Sequence, residues 1–197
     1  FGKIRVNPYN PDHIYVLGVD MFRTTDGGQS WHMCTPPWNN YIVHADKHDL
    51  IFLGAQRMLL ATDGGLYETT DNCNSWTDHE NIPVTQFYHV TYNPHSINTY
   101  WGGAQDNGTL NGDEFNYNNW QRAWGGDGFK VVFHPDDPNT VFVETQYGNV
   151  RELNTGTAIT GSGNGIDANN ERINWDMPYI LSHHDPYRMY LGTHRVF

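Results

Sequence analysis

Positive charge is scarce in this chain. Its 197 residues carry 11 Lys+Arg against 22 Asp+Glu, a net charge of −11 with histidine neutral. A nucleic-acid surface shows a basic stripe, and an anionic membrane asks for clustered Lys and Arg. The sequence has neither, so no nucleic-acid partner is expected; neutral glycans, cationic groups, divalent cations and protein surfaces stay open. Long apolar runs are missing too. The longest extend over a few residues, far short of the roughly 20 that cross a bilayer, so no transmembrane segment is expected, and no signal peptide is visible. Cysteine is down to Cys34 and Cys73, with no Cys-x-x-Cys and no zinc-type spacing. Two readings stay open for that pair: a disulfide between neighbouring hairpins of an exported chain, or two buried thiols. Long amphipathic helical periodicity is absent as well. With 14% aromatics, 20 Gly and 10 Pro, what remains is an all-β chain with regular turns.

What is present is a repeat. Thr24-Thr25-Asp26-Gly27-Gly28-Gln29-Ser30-Trp31 and Thr69-Thr70-Asp71-Asn72-Cys73-Asn74-Ser75-Trp76 share the pattern Thr-x-Asp-x-(Gly or Cys)-x-Ser-Trp, 45 residues apart. Asp, Thr and Ser bond nearby backbone amides and hold a turn, Gly28 takes positive φ, and Trp31 and Trp76 supply an apolar plate to pack beneath it. A second phrase recurs as Asn7-Pro8, Asn93-Pro94, His134-Pro135 and Asp185-Pro186, each followed by an aromatic or aliphatic strand. Repeats of this length are propeller-like. The expected fold is a β-propeller of about four consecutive four-stranded blades plus part of a fifth, cut from a larger ring that further blades or another chain complete. The expected blades are residues 1–44, 45–88, 89–131 and 132–178, with the next beginning at 179–197. The Asn/Gly/Ser/Thr-rich stretch 154–170 replaces the eight-residue pattern in the fourth blade and is expected to be mobile or involved in recognition.

The eight-residue pattern resembles the Asp-box, or bacterial neuraminidase repeat. The wider phrasing (Ala61-Thr62-Asp63-Gly64-Gly65-Leu66-Tyr67, Gln86-Phe87-Tyr88 and Gly102-Gly103-Ala104-Gln105-Asp106-Asn107-Gly108-Thr109) is similar to sortilin-like and xyloglucanase-type propellers of secreted bacterial proteins. The resemblance covers nearly the whole chain. It implies that the box joins the two outer strands of each blade and that the protein is secreted, periplasmic or at the cell surface. It does not fix an activity, because a propeller is a scaffold for grafted sites.

Candidate site residues come from two sources. Asp20, Asp63 and Asp106, with Gln105, Asn107 and Asp127, are expected on innermost strands and their exit loops, as a partial acidic ring lining a channel. Glycoside hydrolysis needs two carboxyl groups, roughly 5–5.5 Å apart for retention or 6.5–9.5 Å for inversion. By resemblance to the xyloglucanase type, Asp63 and Asp127, each flanked by Gly, are the catalytic candidates; the arginine triad of sialidases has no counterpart among Arg23, Arg57, Arg122, Arg151 and Arg195. Separately, His44-x-Asp46-x-His48 would place three ligands on one strand face for a divalent metal, or form a polar seam between blades. Calcium is the other candidate ion, and no cofactor is certain. Trp38, Tyr41, Trp101, Trp120, Trp124 and Tyr147 are read as inter-blade core or as a stacking platform for sugars. The first functional reading is a binding or scaffolding module whose rim holds a protein or polysaccharide partner; the alternatives are a xyloglucanase-like glycoside hydrolase and a metal-stabilised structural propeller.

Overall fold

The computed structural model describes residues 2–80 and 82–197. The chain is all-β, built from consecutive antiparallel sheets in which strands pair in the order they occur, the up-and-down meander of a propeller blade. Among the described residues, helix is limited to two single 3-10 turns, Trp38–Asn40 and Ser162–Asn164, and none is long and apolar enough to cross a membrane. The chain divides into two compact units, Phe1–Ile82 and Pro83–Phe197.

The first unit holds two four-stranded sheets. One is β1 (Lys3–Val6), β2 (Ile14–Leu17), β3 (Met21–Thr24) and β4 (His32–Met33); the other is β5 (Lys47–Phe52), β6 (Met58–Thr62), β7 (Gly65–Thr69) and β8 (Thr77–Asp78). Alternation decides what is buried. On β2, Tyr15 and Leu17 are buried and Ile14 and Val16 less so. On β6, Met58 and Leu60 are fully buried. These side chains join Met21, Cys34, Val43, Leu50 and Tyr67 in one core between the sheets, each large apolar one contributing about 1.5–3 kcal/mol by leaving water.

The second unit contains β9 (Phe87–Tyr92), β10 (Thr99–Ala104), β11 (Gly108–Asp113) and β12 (Gln121–Trp124) in one sheet. A three-stranded sheet of β13 (Val131–Phe133), β14 (Val141–Thr145) and β15 (Asn149–Glu152) follows, then the pair β16 (Tyr179–Leu181) and β17 (Met189–Leu191). Val131, Val141 and Val143 form one core with Trp101, Trp124 and Phe133 against it. Val150, Met177, Tyr179 and Leu191 form another. Trp101 and Trp124 are therefore core, and Trp120 stacks on Phe87 at 5.5 Å.

Both recurring phrases have a hydrogen-bond explanation. The Asn-Pro phrase turns the chain from first to second strand: the Asn7 and Asn93 side-chain oxygens accept the amides of Tyr9 and His95, both at 2.9 Å, and His134 Nδ1 accepts that of Asp136 at 3.2 Å. The eight-residue pattern joins third to fourth strand. Thr24 Oγ1 donates to Asp26 Oδ1 at 2.6 Å and accepts Gly28 N–H at 2.9 Å, while Asp26 Oδ1 accepts Ser30 N–H at 2.9 Å. Thr69, Asp71, Cys73 and Ser75 repeat those bonds at 2.8, 2.9 and 2.9 Å.

The two copies differ at tryptophan. Trp76 packs against the first sheet's core and its indole N–H donates to the Cys34 carbonyl at 3.1 Å. Trp31 is 42% exposed, since within its unit the first sheet has a sheet beside it on one side only. The apolar plate expected at both positions is packed against a core at Trp76 and half exposed at Trp31.

The stretch 154–170 is folded back onto its own sheet. Ala158 bridges Arg151, Ile159 N–H donates to the Val150 carbonyl at 2.9 Å, and Ile166 joins the core. It caps the β15 edge that lacks a fourth strand. Cys34 and Cys73 carry free thiols.

Candidate binding site

The polar residues expected along innermost strands stand instead in hairpins between second and third strands. Asp20 lies between β2 and β3, Asp63 between β6 and β7, and Gln105, Asp106 and Asn107 between β10 and β11. The reason is local: Asp, Asn and Gly terminate ladders and make turns, as the positive φ of Asp106 (62°) shows.

In the first unit these residues are consumed by structure. Lys47 is fully buried, donating from Nζ to the Val19 carbonyl at 2.7 Å, with Asp20 at 3.8 Å. Burial holds its ammonium below the usual lysine range, and Asp20 and the carbonyl supply the compensation a buried cation needs. Asp20 also accepts Trp38 N–H at 3.0 Å. Asp63 is paired with His48 Nε2. The His44-Asp46-His48 alternation does not form: β5 begins only at Lys47, and Asp46 has φ 59°, so the premise of a shared strand face fails. His44 instead lies over Gly64, where a Cβ would sit 2.3 Å from the ring. Among the described residues no three His, Cys, Asp or Glu side chains come together to hold a metal ion.

In the second unit, Asp127 is 6% exposed and accepts the Asp106 amide. The glycines around it serve backbone-on-backbone packing. A Cβ on Gly103 would lie 2.0 Å from the Phe129 carbonyl oxygen, so the 125–130 linker clasps the β10–β11 hairpin with no room for a side chain. Asp63 and Asp127 fall in different units, each engaged by a neighbour of its own.

That linker delivers Phe129, fully buried, to the centre of a row of aromatic rings. Phe129 packs on Tyr88 at 4.8 Å and on Trp175 at 6.0 Å, and Trp175 meets Tyr147 edge-on at 5.0 Å. The Tyr147 amide donates to the Trp175 carbonyl at 3.0 Å, fixing the two elements together. The outer rings stay accessible: Tyr88 is 37% exposed, Trp175 41% and Tyr147 57%. Next to Tyr88 on β9, His89 Nε2 contacts Asp176 Oδ2 at 2.7 Å, both side chains partly exposed. Behind Asp176, the Met177 amide donates to Glu144 Oε1 at 2.7 Å. Glu144 is fully buried and its Oε2 has no partner. Burial, reinforced by the nearby Asp176 charge, pushes its carboxyl up to about 8, so it is neutral at pH 7.

This arrangement offers aromatic edges and faces flanked by one donor–acceptor pair, which suits capture of a ligand with apolar surface and a few polar groups. Of these residues the sequence singles out Tyr147 as an aromatic candidate and Tyr88 only as part of a recurring phrase; His89, Phe129, Trp175, Asp176 and Glu144 carry no motif signal of a shared site. A positional signal exists for two of them: Phe129 and Trp175 both lie in the linker just before the first strand of a sheet.

No protein-family model matches the chain, and no curated protein sequence does. Solved structures similar to it include YCF48 bound to D1 peptide, at 14% identity and TM-score 0.39 over 92% of this chain and 71% of that one. Also similar are a Niastella koreensis GH74 enzyme, at 17% and 0.41 over 95% and 33%, and the Xanthomonas campestris GH74 xyloglucanase, at 12% and 0.40 over 96% and 34%. The chain spans about a third of the length of these two GH74 structures.

Proposed function

We propose that the chain is part of an Asp-box propeller of the sortilin- and xyloglucanase-like kind, exported or held at the cell surface, acting as a binding module for a protein segment or a glycan. The observation that carries this reading is the Tyr88–Phe129–Trp175–Tyr147 row: two accessible rings seated on one buried ring, a third packed on the second of them, and the row braced by backbone hydrogen bonds. Exposed Tyr and Trp on a rigid seat are the groups that dominate binding energies. The glycoside hydrolase alternative rests on Asp63 and Asp127, and both are spent on His48 and on the Asp106 amide; binding is the better supported reading.

The test is direct. The protein is screened against a glycan array and a peptide library, and affinities for the strongest ligand are measured by calorimetry for wild type, Trp175→Ala and Tyr147→Ala. Loss of about tenfold or more in affinity is expected for Trp175→Ala, and a smaller loss for Tyr147→Ala. A ligand bound equally well by both variants overturns the assignment of the site.

A further inference from the structure

The chain has two cysteines, and the fold brings them from two sheets to one core. Cys34 follows β4 of the first sheet and is buried; Cys73 sits in the eight-residue turn of the second sheet and packs against the same core. Both side chains therefore belong to one packed cluster, with Tyr15, Leu17 and Met21 of the first sheet and Leu50, Met58 and Tyr67 of the second. Around them the turn is clamped onto the first sheet. The Trp76 indole donates to the Cys34 carbonyl at 3.1 Å, the Tyr15 hydroxyl to Asn72 Oδ1 at 2.7 Å, and Arg23 to the Asn72 carbonyl.

A second observation singles out Cys73. It stands where the first copy of the turn has Gly28, and the two backbones match: φ is 97° at Gly28 and 69° at Cys73, and each amide donates to its threonine hydroxyl at 2.9 Å. A left-handed conformation suits glycine and strains a side chain with a Cβ. The strained residue is the one that packs against the core holding the other cysteine of the chain.

We propose that Cys34 and Cys73 form a reversible disulfide that staples the first sheet to the second. The oxidant is a small-molecule disulfide. The Cys73 thiolate, on the more accessible side, attacks one of its sulfurs and releases one thiolate, giving a mixed disulfide at Cys73. Cys34 then loses its proton to solvent and attacks Cys73 Sγ, expelling the second thiolate. Two protein S–H bonds are lost, one S–S bond forms, and the oxidant is reduced to two thiols. Because the neighbouring Cys73 thiol and burial hold the Cys34 thiol protonated, the second step is the slow one and accelerates as pH rises.

The experiment uses the whole chain in glutathione redox buffers. Samples are quenched in acid, alkylated with N-ethylmaleimide in denaturant, and weighed intact. Reduced protein should take two labels; after oxidised glutathione it should take none and be lighter by two hydrogens, with no glutathione attached. A stable glutathione adduct, an interchain dimer or two labels after oxidation overturns the proposal. Cys73→Gly supplies an independent readout, because it relieves the left-handed strain while removing the link. With reductant its urea midpoint should equal or exceed that of wild type; with oxidised glutathione wild type should lead by about 1 M, the order expected for closing a loop of about 40 residues. The same ranking in both buffers overturns the inference.

Discussion

Asp26 and Asp71 each hold a turn by accepting both the hydroxyl and the amide of a serine four residues on. Those bonds are stronger to the ionised carboxylate, so both groups are held low, Asp71 at about 2, with the Ser75 hydroxyl as the first cause. A carboxyl lowered on folding stabilises above its unfolded value, about 3.9, and that contribution fades as pH falls through the folded value. Urea midpoints for wild type should therefore drop between about pH 4 and pH 2, and Asp71→Asn should start lower and show a shallower drop; an unchanged profile would mean the bonds are idle. Gly103 poses a steric question of the same size. Its missing Cβ is replaced by the Phe129 carbonyl, so Gly103→Ala must push the linker off the hairpin, at an expected cost of about 2 kcal/mol or more. Thermal or urea unfolding measures it, and a neutral substitution would show that the linker yields freely.

β14 carries a tension at the level of the element. It is the middle strand of its sheet, and its buried Glu144 accepts one amide and keeps one oxygen unpartnered. The carboxyl is raised, to about 8, and the sign of the linkage follows. The stability tied to it is full below the unfolded value near 4.3 and is lost progressively as pH rises to about 8, by an amount on the order of a few kcal/mol. Glu144→Gln retains an acceptor for the Met177 amide and cannot ionise. Its stability should vary less than wild type between about pH 5 and 8 and should exceed it at the alkaline end, as urea titrations at fixed pH would show. Parallel curves would place the titration elsewhere. Since Met177 follows Trp175 and Asp176, the same titration bears on the element that presents the aromatic row.

Across the molecule, what could be read ahead was what is local. The all-β class, the sequentially ordered sheets and the turn residues Thr24, Asp26, Ser30, Thr69, Asp71 and Ser75 all depend on contacts within a few residues, and their spacing exposes them. The site depends on pairs far apart: His89 and Asp176 are 87 positions from each other, Phe129 and Trp175 meet through separate linkers. No spacing rule links such pairs. Polar turn residues such as Asp20 and Asp63 looked functional for the converse reason, because composition does not say whether a carboxylate is already engaged by Lys47 or His48. His44 and Asp46 lie three residues and one residue ahead of β5, which begins at Lys47, so alternation along a strand does not apply to them.

The Thr, Asp and Ser side-chain bonds of each eight-residue turn begin and end inside the segment. A piece of chain closed on itself in this way keeps its shape when its surroundings change, so it can be copied from sheet to sheet without carrying a neighbourhood along. The same side chain can then meet different surroundings in different copies, and Trp31, half exposed, against Trp76, packed on a core, shows how far that freedom extends.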